Sequence, residues 1–311
     1  MKHIKLILAL GLSVLSFVSH LQADELGRSF IRQHGPFFHL LFWQKAELEA
    51  SYALSPDRKE DGGPGEYDMQ EFAANLDAPV ALDGNRFFRV GLQYGQRSYD
   101  FADVPAAATN FESRTFNKIG LGFGMGSFIS SDTLLMGNFR PGLYSDLENG
   151  FDVDHFQYYG DGMIVHRMNP GALILAGIRM DETFDEVPIL PFVGLRLLSN
   201  DGKLHISLTL PIELQVGYSV NQSVHFYTRA ALAGEEYTAS INGGDDEMRV
   251  SVQDRRVGVG SFLWLADFVH IKIEGGAEMG SQLNFKLRNA GQFSGDIKPG
   301  AYLQAGLGFA F

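Results

Sequence analysis

From Lys118 to Phe128 the chain alternates without a break, with Ile119, Leu121, Phe123 and Met125 on odd positions and Gly120, Gly122, Gly124 and Gly126 on even ones. A period of two sends successive side chains to opposite faces of a strand, so one face here is greasy and the other bare. The pattern returns in Arg86–Ser98, where Phe88, Val90, Leu92 and Tyr94 oppose Arg89, Gly91, Gln93, Gly95 and Arg97. It returns in Lys45–Leu54, with Leu48, Ala50, Tyr52 and Leu54 against Glu47, Glu49 and Ser51, and in Phe268–Gly280, with Val269, Ile271 and Ile273 against His270, Lys272 and Glu274. These stretches outrun the roughly five or six residues of a sandwich strand and reach the roughly 9 to 11 that cross a membrane. Their polar faces mix glycine with charges of both signs, which suits a crowded barrel lumen better than a sheet face open to water. The 36 glycines in 311 residues agree, since average usage gives about 22.

The pattern predicts an all-β chain, a transmembrane antiparallel up-and-down β-barrel. Spacers such as Pro79–Asn85 and Asn200–Gly202 read as tight turns, whereas Ser55–Tyr67, Ala102–Ser113, Ser145–Asp152 and Asn242–Glu247 read as loops. At roughly 24 residues per strand with its connection, the chain holds about 12 strands, in a range of roughly 10 to 14. No stretch after the first is apolar for long enough to cross as a helix, and the mean hydropathy is −0.05.

The two ends agree with this reading. Met1–Ala23 carries Lys2 and Lys5, an apolar run of 13 residues from Leu6 to Val18, then a polar stretch ending in a small residue. That is the layout of a cleaved secretory signal, and the run is shorter than the roughly 18 to 20 residues of a membrane helix. Residues 24–311 are then expected to form one barrel domain. Removing two of 25 basic residues and none of 37 acidic ones leaves 23 − 37, a formal charge of −14. An acidic surface repels a phosphate backbone, so nucleic acid is not an expected partner. The absence of cysteine excludes disulfides, thiol nucleophiles and thiolate metal sites.

At the other end, Ala301, Leu303, Ala305, Leu307, Phe309 and Phe311 share one face. Gln304, Gly306, Phe309 and Phe311 resemble the assembly signal of Gram-negative outer-membrane barrels: a polar residue, then glycine, then aromatics at or near the last position. The resemblance implies the cell outer membrane as location, its lipid and lipopolysaccharide as surroundings, and the β-barrel assembly machinery as a partner. The segments Val187–Arg196, Leu204–Pro211 and Leu214–Tyr218 resemble a family of outer-membrane β-barrel proteins of unknown function, over the middle third of the chain. That family implies fold and location, and no mechanism.

Motifs for chemistry are few. The ladder Gly120–Gly126 lacks the third glycine of a dinucleotide loop, and no Walker loop, G-x-S-x-G or H-E-x-x-H occurs. His155 and His166, or His205 and His225, lie where a fold can bring them together, but without the local spacing of a metal site. The acidic stretches Asp146–Asp154 and Gly243–Glu247 miss the calcium-loop register and read as solvated loops. No cofactor, metal or catalytic residue is expected.

Strand parity instead turns Arg89, Arg97, Arg140, Arg179, Arg196 and Arg229 inward, with Glu47, Glu49, Glu71, Asp77, Asp161, Glu213, Glu274 and Glu278. A charge on the lipid face costs about 2 to 4 kcal/mol at the midplane, which gives parity its force. Two arrangements follow: opposite charges that pair and fill the lumen, or walls of opposite sign that line a pore. The expected function is a narrow passive channel or small-solute uptake pore. The alternatives are a non-conducting structural or surface-binding barrel, and a barrel hydrolase acting on lipid or peptide.

Overall fold

The computed structural model describes residues 46–59, 66–102, 113–148, 155–180, 189–241, 246–287 and 291–310. The expected leader and Phe311 lie outside them, as do parts of the expected loops and acidic stretches. Every element of the described chain is a strand: β1 (Glu47–Lys59), β2 (Glu66–Ala81), β3 (Arg86–Ala102), β4 (Ser113–Ser130), β5 (Thr133–Ser145), β6 (Phe156–Asn169), β7 (Ala172–Met180), β8 (Ile189–Leu198), β9 (Leu204–Leu210), β10 (Glu213–Ser219), β11 (Val224–Ile241), β12 (Asp246–Ala266), β13 (Val269–Leu287), β14 (Gly291–Ile297) and β15 (Gly300–Ala310). Each strand from β1 to β13 pairs antiparallel with its successor, and β15 closes the ring against β1. β14 pairs Ser281–Leu287 of β13 while β15 pairs Val269–Glu278 of the same strand, so the two share one place and the barrel has 14 strand positions. This is the upper end of the expected range. The turns explain it, since Ser131–Asp132 and Asp267–Phe268 each join long strands with two residues, leaving more chain for strands. Pro79, expected in a turn, stays in β2 opposite Arg89, and the turn is Leu82–Asn85.

The alternation has the expected consequence. Ile119, Leu121, Phe123 and Met125 of β4 are exposed on the outer face, Met125 to 62%. The inward glycines seat large side chains from neighbouring strands. A Cβ on Gly126 or Gly258 would lie under 3.0 Å from the ring of Phe87 or the hydroxyl of Tyr302. Bulky inward residues are thus accommodated beside residues that have none.

The wall is uneven. β7 to β10 have only 9, 10, 7 and 7 residues, whereas β11, β12 and β13 have 18, 21 and 19. Beyond Ala231, the last partner of β10, β11 continues alone on that side. The Leu232 N–H donates to the Ile212 carbonyl in the two-residue β9–β10 turn. β11 then leans across to β5, where Thr238 faces Ser145 and the Asp146 N–H donates to the Thr238 carbonyl at 3.3 Å. Gln157 of β6 donates to the Glu236 carbonyl beside it at 2.9 Å. On the side of the long connections, 14 − 4 strand positions remain once β7 to β10 have ended.

Candidate functional site

Residues paired across strands share a face, which fixes the lumen lining. Glu47 and Glu49 (β1), Glu71 and Asp77 (β2), Arg89 and Arg97 (β3), Arg140 (β5), Asp161 (β6), Arg179 (β7), Arg196 (β8), Glu213 (β10), Arg229 (β11), and Glu274 and Glu278 (β13) all belong to the inward set. In β15, Gln304 and Gly306 face inward opposite Glu274 and Lys272, while Phe309 lies between Leu48 and Val269 on the outward parity.

The lumen is layered. At its loop end, Tyr67, Tyr99, Phe116, Tyr144, Tyr237 and Phe285 form a buried apolar layer with aliphatic neighbours. Phe116 of β4 and Tyr237 of β11 meet with ring centroids 4.9 Å apart. These strands lie 11 − 4 = 7 positions apart in a ring of 14, so opposite walls touch.

Beneath this layer runs a belt of ion pairs. β1 does not end at Leu54 as expected but crosses a register shift, with Asp57 at φ 52°, that swings Arg58 into the lumen. Arg58 pairs there with Glu278. Arg256 Nε donates to the same carboxylate at 2.7 Å, and its guanidinium lies 3.7 Å from Glu71 and 4.0 Å from Asp254. Arg97 donates to Glu71 at 2.9 Å and lies 3.7 Å from Glu235, which accepts from Lys118 Nζ at 2.8 Å. The series joins β1, β13, β12, β2, β3, β11 and β4, spanning the lumen. Its four cations, Arg58, Arg97, Lys118 and Arg256, match four anions, Glu71, Glu235, Asp254 and Glu278. Desolvated charges survive only when paired in this way.

Toward the turn end the lumen is wetter. Arg89 pairs with Asp77 at 2.9 Å and Arg229 with Glu213 at 2.8 Å, and the side chains of Asp77 and Arg229 are 33% and 31% exposed. Arg97 and Arg58 of the belt are 5% and 0% exposed. Asn138 donates to Asp161 at 2.7 Å and Arg196 to the Leu208 carbonyl at 3.2 Å, while Glu274, buried even here, accepts from both Tyr227 and Tyr302 at 2.7 Å.

A cavity of about 260 Å³ opens between belt and low wall, lined by Glu71, Arg97, Arg179, Glu235 and Arg256 on one side and by Ile212 and Leu232–Gly234 on the other. It lies where β11 parts from β10, beside Arg179 near the end of β7. Parity anticipated Arg97, Glu71 and Glu278 of the belt, and Arg179 beside it, but missed five belt members. Arg58 was hidden by the shift at Asp57, which reverses the alternation. Asp254 and Arg256 sit in the run Gln253-Asp254-Arg255-Arg256, where polar residues on both faces erase the period. Lys118 had the same even parity as its glycine ladder and Glu235 the same odd parity as Arg229, and those signals were there to be read.

Among the histidines, His205 and His225 do converge: Ser219 Oγ lies 2.8 Å from His205 Nε2 and 2.6 Å from His225 Nδ1. His155 and His166 lie at opposite ends of β6, about 36 Å apart at 3.3 Å per residue. Among the described residues, no three His, Asp or Glu side chains are grouped to hold a metal ion.

No curated protein matches the sequence. Among solved structures, the chain is similar to the translocator domain of the autotransporter NalP from Neisseria meningitidis, with 13% identity over 94% of this chain and 97% of that one, at a TM-score of 0.39. It is also similar to the COG4313 outer membrane channel from Pseudomonas putida F1, with 11% identity over 86% and 96% of the two chains, at a TM-score of 0.44. LpxR from Salmonella typhimurium has 10% identity over 85% and 100%, at a TM-score of 0.33. The model of the domain of unknown function DUF6268 matches residues 49–310, and the chain, a closed antiparallel barrel with a charge-lined lumen, belongs to that family.

Proposed function

We propose that this barrel stands in the outer membrane and passes small solutes by way of the lumen cavity. The cavity itself carries the reading: a space of about 260 Å³, walled by charge, at the one place where the described strands are lowest. The route leads from the wet turn end past Arg140, Arg196 and the Arg229–Glu213 pair to the cavity, and out over the β9–β10 turn. It avoids the axis, where the belt and the apolar layer join opposite walls. Inward guanidinium groups on β5, β7 and β8 and inward carboxylates on β1 put opposite signs on different parts of the wall, a field able to select among solutes.

The test is planar-bilayer conductance of the folded protein, checked for heat-modifiable gel migration. Discrete steps whose selectivity changes in Arg140→Ala and Arg196→Ala support passage. Silence from folded protein favours the second reading, a non-conducting barrel. That reading draws on the same belt, because ion pairs between opposite walls are what a closed structural lumen requires.

A further inference from the structure

We infer that the lumen cavity binds a small organic anion, with Arg179 taking its carboxylate. The charged groups around the cavity are unequal in what they leave unused. Glu71 is engaged by Arg97 at 2.9 Å and approached by Arg256 at 3.7 Å. Glu235 is engaged by Lys118 at 2.8 Å and by Tyr237. The donors are in surplus. Arg179 makes no hydrogen bond or ion pair with any described residue, although it lines the cavity. Arg97 Nε and Arg256 Nη2 are buried without a hydrogen-bond partner among the described residues.

Buried donors in native proteins are almost always satisfied, and one left bare loses its hydration without return. Two such buried donors, with the half-buried and unengaged guanidinium of Arg179 beside them, therefore specify an acceptor in this one space. A cation entering the cavity would meet them as like charges. A carboxylate fits best, because its two oxygens match the parallel N–H bonds of a guanidinium fork.

The opposite side sets the rest of the ligand. Ile212, Leu232, Ala233 and Gly234 add no charge, so this side leaves room for an uncharged body on the anion. The volume of about 260 Å³ equals roughly nine waters at about 30 Å³ each, which suits a short-chain acid.

This inference deepens the reading of the cavity as a solute station but does not need conduction. The experiment is calorimetric titration of the detergent-folded full chain with sodium butyrate, n-butylammonium chloride and sodium phosphate at constant ionic strength, against empty micelles. Saturable butyrate binding is expected, with none for butylammonium. Arg179→Gln should weaken it by about tenfold or more, the equivalent of a charge-assisted hydrogen bond. Arg179→Lys should fall between, and serves alone if the glutamine variant does not fold. Equal butyrate binding in wild type and variant, equal binding of the amine, or no saturable butyrate binding would each overturn the assignment. Tighter binding of phosphate than of butyrate would overturn the choice of a carboxylate. Butyrate binding without conductance leaves this inference standing and removes the passage; conductance without binding does the reverse.

Discussion

The two halves of the lumen are built from the same residue types and behave differently. In the loop-side half, Arg58, Arg97, Asp254 and Glu278 are buried, and their charges are held by other members of the belt. In the turn-side half, Arg89, Asp77, Arg229 and Glu213 make pairs of similar length that keep contact with water. Distance does not separate them; solvent does. Breaking a dry pair strands a charge, whereas breaking a wet pair returns a charge to water, so pairs alike in geometry carry unlike weight.

The largest effect is expected at Glu278, whose carboxylate is shared by Arg58 and Arg256. Glu278→Gln should destabilise the barrel by about 3 to 5 kcal/mol, read as a shift in the denaturant midpoint of heat-modifiable gel migration. An unchanged midpoint would mean that the belt is not dry, and the contrast between the halves would collapse. Next is Gly258, over which the Tyr302 hydroxyl sits on its way to Glu274. Gly258→Val should cost about 1 to 3 kcal/mol by the same assay, and adding Tyr302→Ala should return part of it by freeing the space. No coupling between the two would show that the glycine does not seat the ring.

A smaller effect is expected in the wet half. Glu213→Gln should cost under about 1 kcal/mol, and that cost should shrink further as salt is raised, because the pair with Arg229 is partly solvated. A loss as large as that of Glu278→Gln would erase the distinction from the other side. The smallest lies outside the lumen, in the turns. Asp132 accepts from Arg167 and from Ser131, and these hydrogen bonds hold its carboxyl below the usual range. A depressed folded value means that the turn's contribution is complete above the unfolded pKa of about 3.9 and disappears as pH falls through the lower folded value. Carboxyl NMR titration should find Asp132 ionising below about 3.9. A value at or above that would remove the Arg167 bond as its cause.

Much of the architecture could be read from the alternation alone. The ladder around Gly120–Gly126 marked the lipid face and the inward face of β4, and parity assigned Arg89, Arg97 and Arg179 without any knowledge of their partners. Besides Lys118 and Glu235, which were in phase and overlooked, what failed were the places where the period itself breaks. Arg58 is one residue out of phase because of the shift beside Asp57, and a local bulge leaves no trace in hydrophobicity. The unequal wall was equally hidden. β9 and β10 are short because a two-residue turn joins them at the end where other successive strands are separated by three residues or more, and nothing in Leu210-Pro211-Ile212-Glu213 gives away which end of the barrel it occupies. The cavity depends on both failures, for it forms where the low wall meets the belt.

The equality of charge within the belt bears on what force is able to move it. A potential across a membrane acts on net displaced charge, at about 2.3 kcal/mol per elementary charge per 100 mV. Four cations locked to four anions sum to zero, so a rearrangement that carries partners together displaces almost none. Such an assembly is nearly deaf to voltage. Whatever loosens it must compete for its individual hydrogen bonds, which is work for an incoming anion and not for an electric field.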